Sequence, residues 1–267
     1  MSRIRRHAAL ALTLACLLAG SRAGAQPAMR ADDAAFVLLT VTNDRRQFKL
    51  GTAFFVDPDG TALTNSHVVY LARQNPQRYR LMAIVGQEFY SAALVCASAL
   101  PYDPETEHVV PSRDVAEIKL GPSRFPFVTY LFGGIERTAH LTRLPRFPAF
   151  TLGDDPSLGA AVRIVGYGLI GFPPVPGASW TATGTVDQVG EVQDGTPAFT
   201  VVSTNRPREG NSGSPVLDAG GRVVGMWTWN EDDNLAFGVA IASSALARPC
   251  GTSGAAGPTG PAAVTPR

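Results

Sequence analysis

Apolar residues in this 267-residue chain come in short runs, and turn signals cut each run before a helical period can establish itself. Gly (27) and Pro (21) are numerous and fall largely between stretches rich in β-branched and aromatic residues. Ala35 to Val41, Gly51 to Val56, Thr61 to Asn65, Tyr79 to Val85 and Phe89 to Val95 each read as a strand. Asp57-Pro58-Asp59-Gly60 predicts a hairpin between the second and third of these, because Pro presets φ and Gly accepts a positive φ. Asp114 to Leu120 alternates apolar and charged side chains, as a half-buried strand does. Gly121 to Pro148 lacks periodicity and is expected to form an irregular connection between two halves. The second half has the same pattern of short apolar runs, at Ala160 to Gly166, Trp180 to Val189, Phe199 to Ser203, Pro215 to Leu217, Arg222 to Trp229 and Ala236 to Ile241. Many short strands with few helices predict an all-β chain built of antiparallel barrels or sandwiches.

The two ends lie outside that pattern. Arg3, Arg5 and Arg6 precede a short apolar run, Ala8 to Leu18, and Ala23-Gly24-Ala25 supplies small residues before Gln26. Residues 1–25 therefore read as a secretory signal peptide, with an uncleaved anchor as the alternative. The run is too short to span a bilayer, so no stable membrane association is expected after cleavage. Residues 249–267 read as a disordered tail of Gly, Ala, Pro and Thr. The formal charge of +1 shows no basic surplus and argues against a nucleic-acid partner. Removal of the signal takes Cys16 with it and leaves Cys96 and Cys250, which either pair in an oxidising compartment or, for Cys96, remain a buried thiol. The cysteines are isolated from any histidine cluster, so neither a metal nor a cofactor is expected.

One loop carries chemistry. In Glu209-Gly210-Asn211-Ser212-Gly213-Ser214-Pro215, glycines on both sides of Ser212 let the backbone turn sharply and leave the hydroxyl unshielded. Such a loop can also aim the N–H groups of Gly210 and Ser212 at one developing oxyanion. A serine hydroxyl needs a base. His67 is the candidate, because it follows a strand directly and stands at the edge of a sheet, ahead of a short helical turn. His108 follows an acidic loop and His140 lies in the irregular connection, so both read as solvated. Asp114, which opens a strand, is the candidate orienting acid, whereas Asp103, Asp154 and Asp155 have ordinary turn-forming explanations. The order His67, Asp114, Ser212 is that of the chymotrypsin-like triad rather than the subtilisin or α/β-hydrolase orders.

Thr64-Asn65-Ser66-His67-Val68-Val69, Asp114 to Leu120 and Gly210-Asn211-Ser212-Gly213-Ser214-Pro215 resemble the three motifs of trypsin-like serine proteases, at separations that suit the family. The resemblance covers roughly residues 34 to 245 and is nearest to bacterial branches, the glutamyl-endopeptidase-like and high-temperature-requirement proteases. It implies two six-stranded antiparallel β-barrels, the chymotrypsin-like fold, with the active site between them. The first would span residues 34–145 and the second 146–248. It further implies a secreted or periplasmic serine endopeptidase, monomeric, acting on polypeptides through an acyl-enzyme. Ser212 would be the nucleophile, His67 the base, Asp114 its orienting acid, and the N–H groups of Gly210 and Ser212 the oxyanion hole. The pocket wall would be the strand Met226-Trp227-Thr228-Trp229-Asn230, with Gly238 near its rim, and Arg206 and Arg208, shortly before the serine, would either favour an acidic side chain or face solvent.

Departures from the family pattern qualify these expectations. Asn211 replaces the aspartate that animal trypsins pair with a new N-terminus, so no such zymogen switch is expected. Behind the second barrel there is no room for a PDZ module, so regulation of the high-temperature-requirement kind is not expected. Trp227 stands near the place of the pocket histidine of glutamyl endopeptidases, which puts a preference for Glu in doubt. Ser66 and Ser214 stand where alanine and glycine are more usual. They motivate the alternative of a catalytically weak or inactive chymotrypsin-fold binding protein of the cell envelope.

Overall fold

The computed structural model describes residues 34–43, 48–86, 88–99, 112–126, 139–140, 144–168, 179–205, 209–230 and 237–249. The expected signal peptide, the expected tail from residue 250 on, His108, Arg206, Arg208 and Cys250 fall outside these residues.

The first barrel is formed by β1 (Ala35–Thr42), β2 (Phe48–Asp57), β3 (Thr61–Thr64), β4 (Tyr79–Val85), β5 (Glu88–Ala97) and β6 (Ala116–Pro126). They hydrogen-bond in the order β3-β2-β1-β4-β5-β6, and pairing of β3 with β6 closes the ring. β1 is buried along its whole length, which accounts for its unbroken apolar run. Phe36 and Leu38 face the barrel interior. Val37, Leu39 and Val41 pack outside it, against Met82, Ile84 and Phe89. The interior holds an aromatic cluster: Phe55 lies 4.4 Å from both Phe36 and Phe147, and Tyr90 meets Phe147 edge-on. Phe147 belongs to the segment that leaves this barrel, so the inter-barrel connection is anchored in the core it departs from.

The expected hairpin is present: β2 and β3 are antiparallel across Asp57–Gly60, with Gly60 at φ +95°. Two expectations are corrected. β6 continues well past Leu120, and a short β7 (Ala139–His140) pairs with it, so the connection is less irregular than its composition suggested. Pro122 is tolerated because the β5–β6 register shifts opposite it, between Tyr90 and Ala92, where a missing N–H costs no ladder bond. The turn after β3 is a nine-residue helix, α1 (Ser66–Gln74). Val68 and Val69 seat it on the barrel, and Pro76 stops it by driving Asn75 out of helical φ/ψ.

The second barrel contains β8 (Ala161–Tyr167), β9 (Ser179–Glu191), β10 (Pro197–Ser203), β11 (Pro215–Leu217), β12 (Val223–Asn230) and β13 (Phe237–Ala242), closed in the order β10-β13-β12-β11-β8-β9. Ile164, Phe199, Val201, Val216, Val224 and Trp227 are among the buried residues of its core. A helical turn, α2 (Ser243–Leu246), follows β13. Asp155, read from sequence as a turn former, instead accepts the N–H (2.7 Å) and hydroxyl (2.6 Å) of Ser244 in that turn. The barrels meet through an apolar seam in which Ala35, Phe54, Leu63 and Val115 pack against Val165, Leu217, Met226 and Ile241. Two closed sheets joined by an apolar seam hold the side chains at their shared edge without help from flexible loops.

Candidate active site

Strand pairing brings His67 and Asp114 together. β3 and β6 are antiparallel with Thr64 opposite Ala116, so the chain leaving β3 and the chain entering β6 share one end of the barrel. Buried Asn65 crosses that end: its Nδ2 donates to the Asp114 carbonyl (2.8 Å) and to Thr228 Oγ1 of the second barrel (3.0 Å). The Asp114 carboxylate is fully buried and the His67 ring is 26% exposed. Asp114 Oδ1 accepts the backbone N–H of His67 (3.0 Å), and Oδ2 lies 2.5 Å from Nδ1. Two contacts to one carboxyl fix both the position of the ring and its rotation. In the neutral ring, a carboxylate facing Nδ1 favours the tautomer with its hydrogen on that nitrogen, which leaves a lone pair on Nε2.

Ser212 comes from the loop ahead of β11, and the loop is pinned from both barrels. From β2, Thr52 Oγ1 donates to the Gly210 carbonyl (2.8 Å) and the Thr52 N–H to the Ser212 carbonyl (2.8 Å). From β12, the Trp227 carbonyl accepts the N–H of Gly213 (2.9 Å) and the Trp227 N–H donates to the Ser214 carbonyl (2.8 Å). The Asn211 carbonyl is held by the N–H of Ser214 (3.0 Å), and the trans peptide then turns the N–H of Ser212 the opposite way. Among the described residues, the N–H groups of Gly210 and Ser212 donate to no protein acceptor. Gly213 has φ +87°, and a Cβ there would collide with the Thr52 carbonyl, so the bend after the serine requires glycine.

His67 and Ser212 line one cleft of about 230 Å³, together with Gly210, Leu50 and Trp227. Ser212 Oγ lies 3.4 Å from the Thr228 carbonyl, and among the described residues no hydrogen bond joins it to the imidazole. A β-bulge in β12 produces the Thr228 contact: the register with β13 shifts between Trp227 and Trp229, leaving Thr228 unopposed.

The other expected site residues divide. Trp227 borders the cleft and its ring lies against Gly238. The Thr228 hydroxyl accepts from Asn65 Nδ2 and donates to the Met226 carbonyl. Trp229 packs against the inter-barrel seam. Asn230 pairs with Gly238, its side chain lies outside the described residues, and so does Arg206. Thr52, Asn65 and Ser98 carry hydrogen bonds that their sequence positions do not announce. Thr52 sits in a β-prone run where threonine is an unremarkable strand former, so its context holds no signal. Asn65 stands inside the histidine motif, and that position is the one hint of its role.

The trypsin-like peptidase domain description matches residues 51–226, a span that contains His67, Asp114 and Ser212. The chain belongs to the trypsin-like peptidase family. It is a serine endopeptidase by that membership. Solved structures share its fold. The active form of the Rv3671c protease of M. tuberculosis aligns at 20% identity and TM-score 0.54, over 86% of this chain and 85% of that one. Deg5 aligns at 16% identity and TM-score 0.56, over 81% and 87%. The HtrA-type protease AlgW, solved with a tripeptide, aligns at 20% identity and TM-score 0.56, over 82% of this chain and 59% of its own. No curated protein matches this trypsin-like peptidase in sequence. Among its described residues, no helix is long and apolar enough to cross a membrane.

Proposed function

We propose that this trypsin-like peptidase is an exported endopeptidase that cleaves polypeptides with Ser212, His67 and Asp114 through an acyl-enzyme. The observation that carries the reading is the grip of one buried carboxylate on both the backbone and Nδ1 of His67, at the mouth of the cleft that holds Ser212. His67 Nε2 takes the hydroxyl proton as Ser212 Oγ bonds to the scissile carbonyl carbon, and the carbonyl oxygen becomes the oxyanion. The free N–H groups of Gly210 and Ser212 stabilise that oxygen, a contribution worth about 10²–10³ in turnover per donor. The C–N bond then breaks, and His67 gives its proton to the departing amine. Water, deprotonated by the same imidazole, attacks the ester carbon, and the proton returns to Ser212 as the acid leaves. Asp114 holds the ring and steadies its charged form throughout.

The 3.4 Å contact of Ser212 Oγ with the Thr228 carbonyl is too long to hold the hydroxyl in place. Export is supported by the N-terminal pattern of residues 1–25 and by Cys96, which is disulfide-bonded to a partner outside the described residues. The experiment is digestion of a peptide library by the purified mature protein and its variants. Ser212→Ala is expected to lower turnover by on the order of 10⁶. Asp114→Asn is expected to cost about 10⁴, because the imidazole then adopts the wrong tautomer. A folded wild type that cuts no peptide ends the proposal.

A further inference from the structure

We propose that the Trp227 indole fills the specificity pocket behind Ser212, so that this peptidase cleaves after residues with small aliphatic side chains. The inference rests on the triad reading above, and it names the substrate class of that same site. Trp227 lines the cleft with Ser212 and Gly210, is only 1% exposed, and has its ring against Gly238. Trp227 is held at its backbone and closely packed at its ring. Its backbone is tied on one side to Gly213 and Ser214 of the serine loop. On the other side it lies flush against β13: a Cβ built on Gly238 would come within 2.8 Å of Cε2 and closer still to the outer ring atoms. Only glycine at 238 leaves room for an indole there. Val201 and Ala240, in the same buried cluster, surround the ring with apolar atoms.

The consequence is a shallow, apolar floor. The whole cleft, about 230 Å³, is smaller than the roughly 300 Å³ at which ordinary ligand pockets begin. A phenylalanine side chain would need the volume that the indole holds. A lysine or glutamate would need a buried counter-charge, and the charged residues among the described lining, Lys49 and Glu209, are both exposed. Alanine and valine need neither that volume nor a counter-charge.

The test uses one peptide series varied only at the residue preceding the scissile bond: Ala, Val, Leu, Phe, Lys and Glu. Wild type is expected to show kcat/KM for Ala or Val at least about tenfold above Phe, Lys and Glu. Trp227→Leu and Trp227→Ala open the floor and are expected to raise the Phe-to-Ala ratio by about tenfold or more. Fluorophosphonate labelling of Ser212, run in parallel, reports the triad independently of the pocket. Wild type that is labelled but cleaves after Phe, Lys or Glu as fast as after Ala overturns the pocket and spares the triad. Folded variants whose ratio stays at the wild-type value overturn it as well. Should both variants fail to fold, the wild-type profile alone decides. A folded wild type that is neither labelled nor active overturns both readings.

Discussion

Ser66 departs from the family pattern at the residue beside the histidine, and the structure gives the departure a structural role. Its hydroxyl is buried within 2.9 Å of the Val115 carbonyl and 3.0 Å of Ser98 Oγ. Ser98 Oγ in turn accepts the N–H of Val115 (3.0 Å) and donates to the Arg113 carbonyl (2.5 Å). Two hydroxyls therefore fasten the Asp114 segment on both flanks to the end of β5 and the start of α1. The Val115 carbonyl keeps the N–H of Ser98 (2.9 Å), so Ser66→Ala is expected to lower unfolding free energy by about 1 kcal/mol, the net worth of one hydrogen bond, with turnover within about threefold of wild type. Denaturant melts and peptide kinetics check both halves, and lost turnover at unchanged stability would contradict the assignment. Ser214, the other departure, is less comfortable: its Oγ is buried with no hydrogen-bond partner among the described residues. Residue identity made His67, Asp114 and Ser212 legible as candidates, since few residue types can serve as nucleophile, base and acid. Thr52 and Asn65 were not legible, because their hydrogen bonds depend on which strand of one barrel faces which loop of the other.

The hairpin was readable because its turn, Asp57-Pro58-Asp59-Gly60, carries its own chemistry. Asp57 Oδ1 accepts the N–H of Asp59 (2.9 Å), and Asp59 Oδ1 accepts the N–H (3.0 Å) and hydroxyl (2.8 Å) of Thr61. Asp59 also pairs with Lys119 of β6, stapling the hairpin to the strand that closes the barrel. The Lys119 and Thr61 hydrogen bonds hold its carboxyl at about 2, against an ordinary value of 3.8. A depressed value means the ionised form is favoured by folding. That stabilisation is present above pH 3.8 and disappears as pH falls through about 2. Both partners are substantially exposed, so solvent and salt hold the contribution below about 1 kcal/mol. Asp59→Asn is expected to lower the urea midpoint slightly at pH 7 and to match wild type near pH 2. A difference that persisted there would contradict the assignment. The extent of β6 was illegible for the opposite reason: Pro122 reads as a strand breaker unless the register shift opposite it is known.

Across the whole molecule the working parts come from both barrels, and rigidity depends on what ties the barrels together. The apolar seam does most of this, and buried Arg113 adds a polar clamp immediately before Asp114. Its N–H donates to Asp194 in the β9–β10 turn (2.8 Å) and its guanidinium to the carbonyls of Ala245 (3.0 Å) and Arg248 beyond β13. Burial pushes its pKa down, with Arg248 adding to the shift and Asp194 opposing it. Serving carbonyls and a carboxylate at once makes Arg113 a positioning residue for Asp114. Arg113→Met is expected to lower unfolding free energy by about 2–3 kcal/mol and to reduce kcat more than it raises KM. Unchanged kcat with lowered stability would leave only the structural role. The two-barrel plan was legible as a count of short strands plus three motifs in order, whereas the seam and this clamp pair residues far apart in the chain, 81 positions for Arg113 and Asp194 and 132 for Arg113 and Ala245, and leave no local pattern.

The mechanism stands or falls on whether His67 and Asp114 make Ser212 nucleophilic. The decisive experiment applies a fluorophosphonate to the purified mature protein and locates the modified residue by tandem mass spectrometry. One phosphonyl group per chain is expected, on Ser212, with labelling slowed severely in His67→Ala and Asp114→Asn. A folded wild-type chain that stays unlabelled, or is labelled at another residue, would refute it.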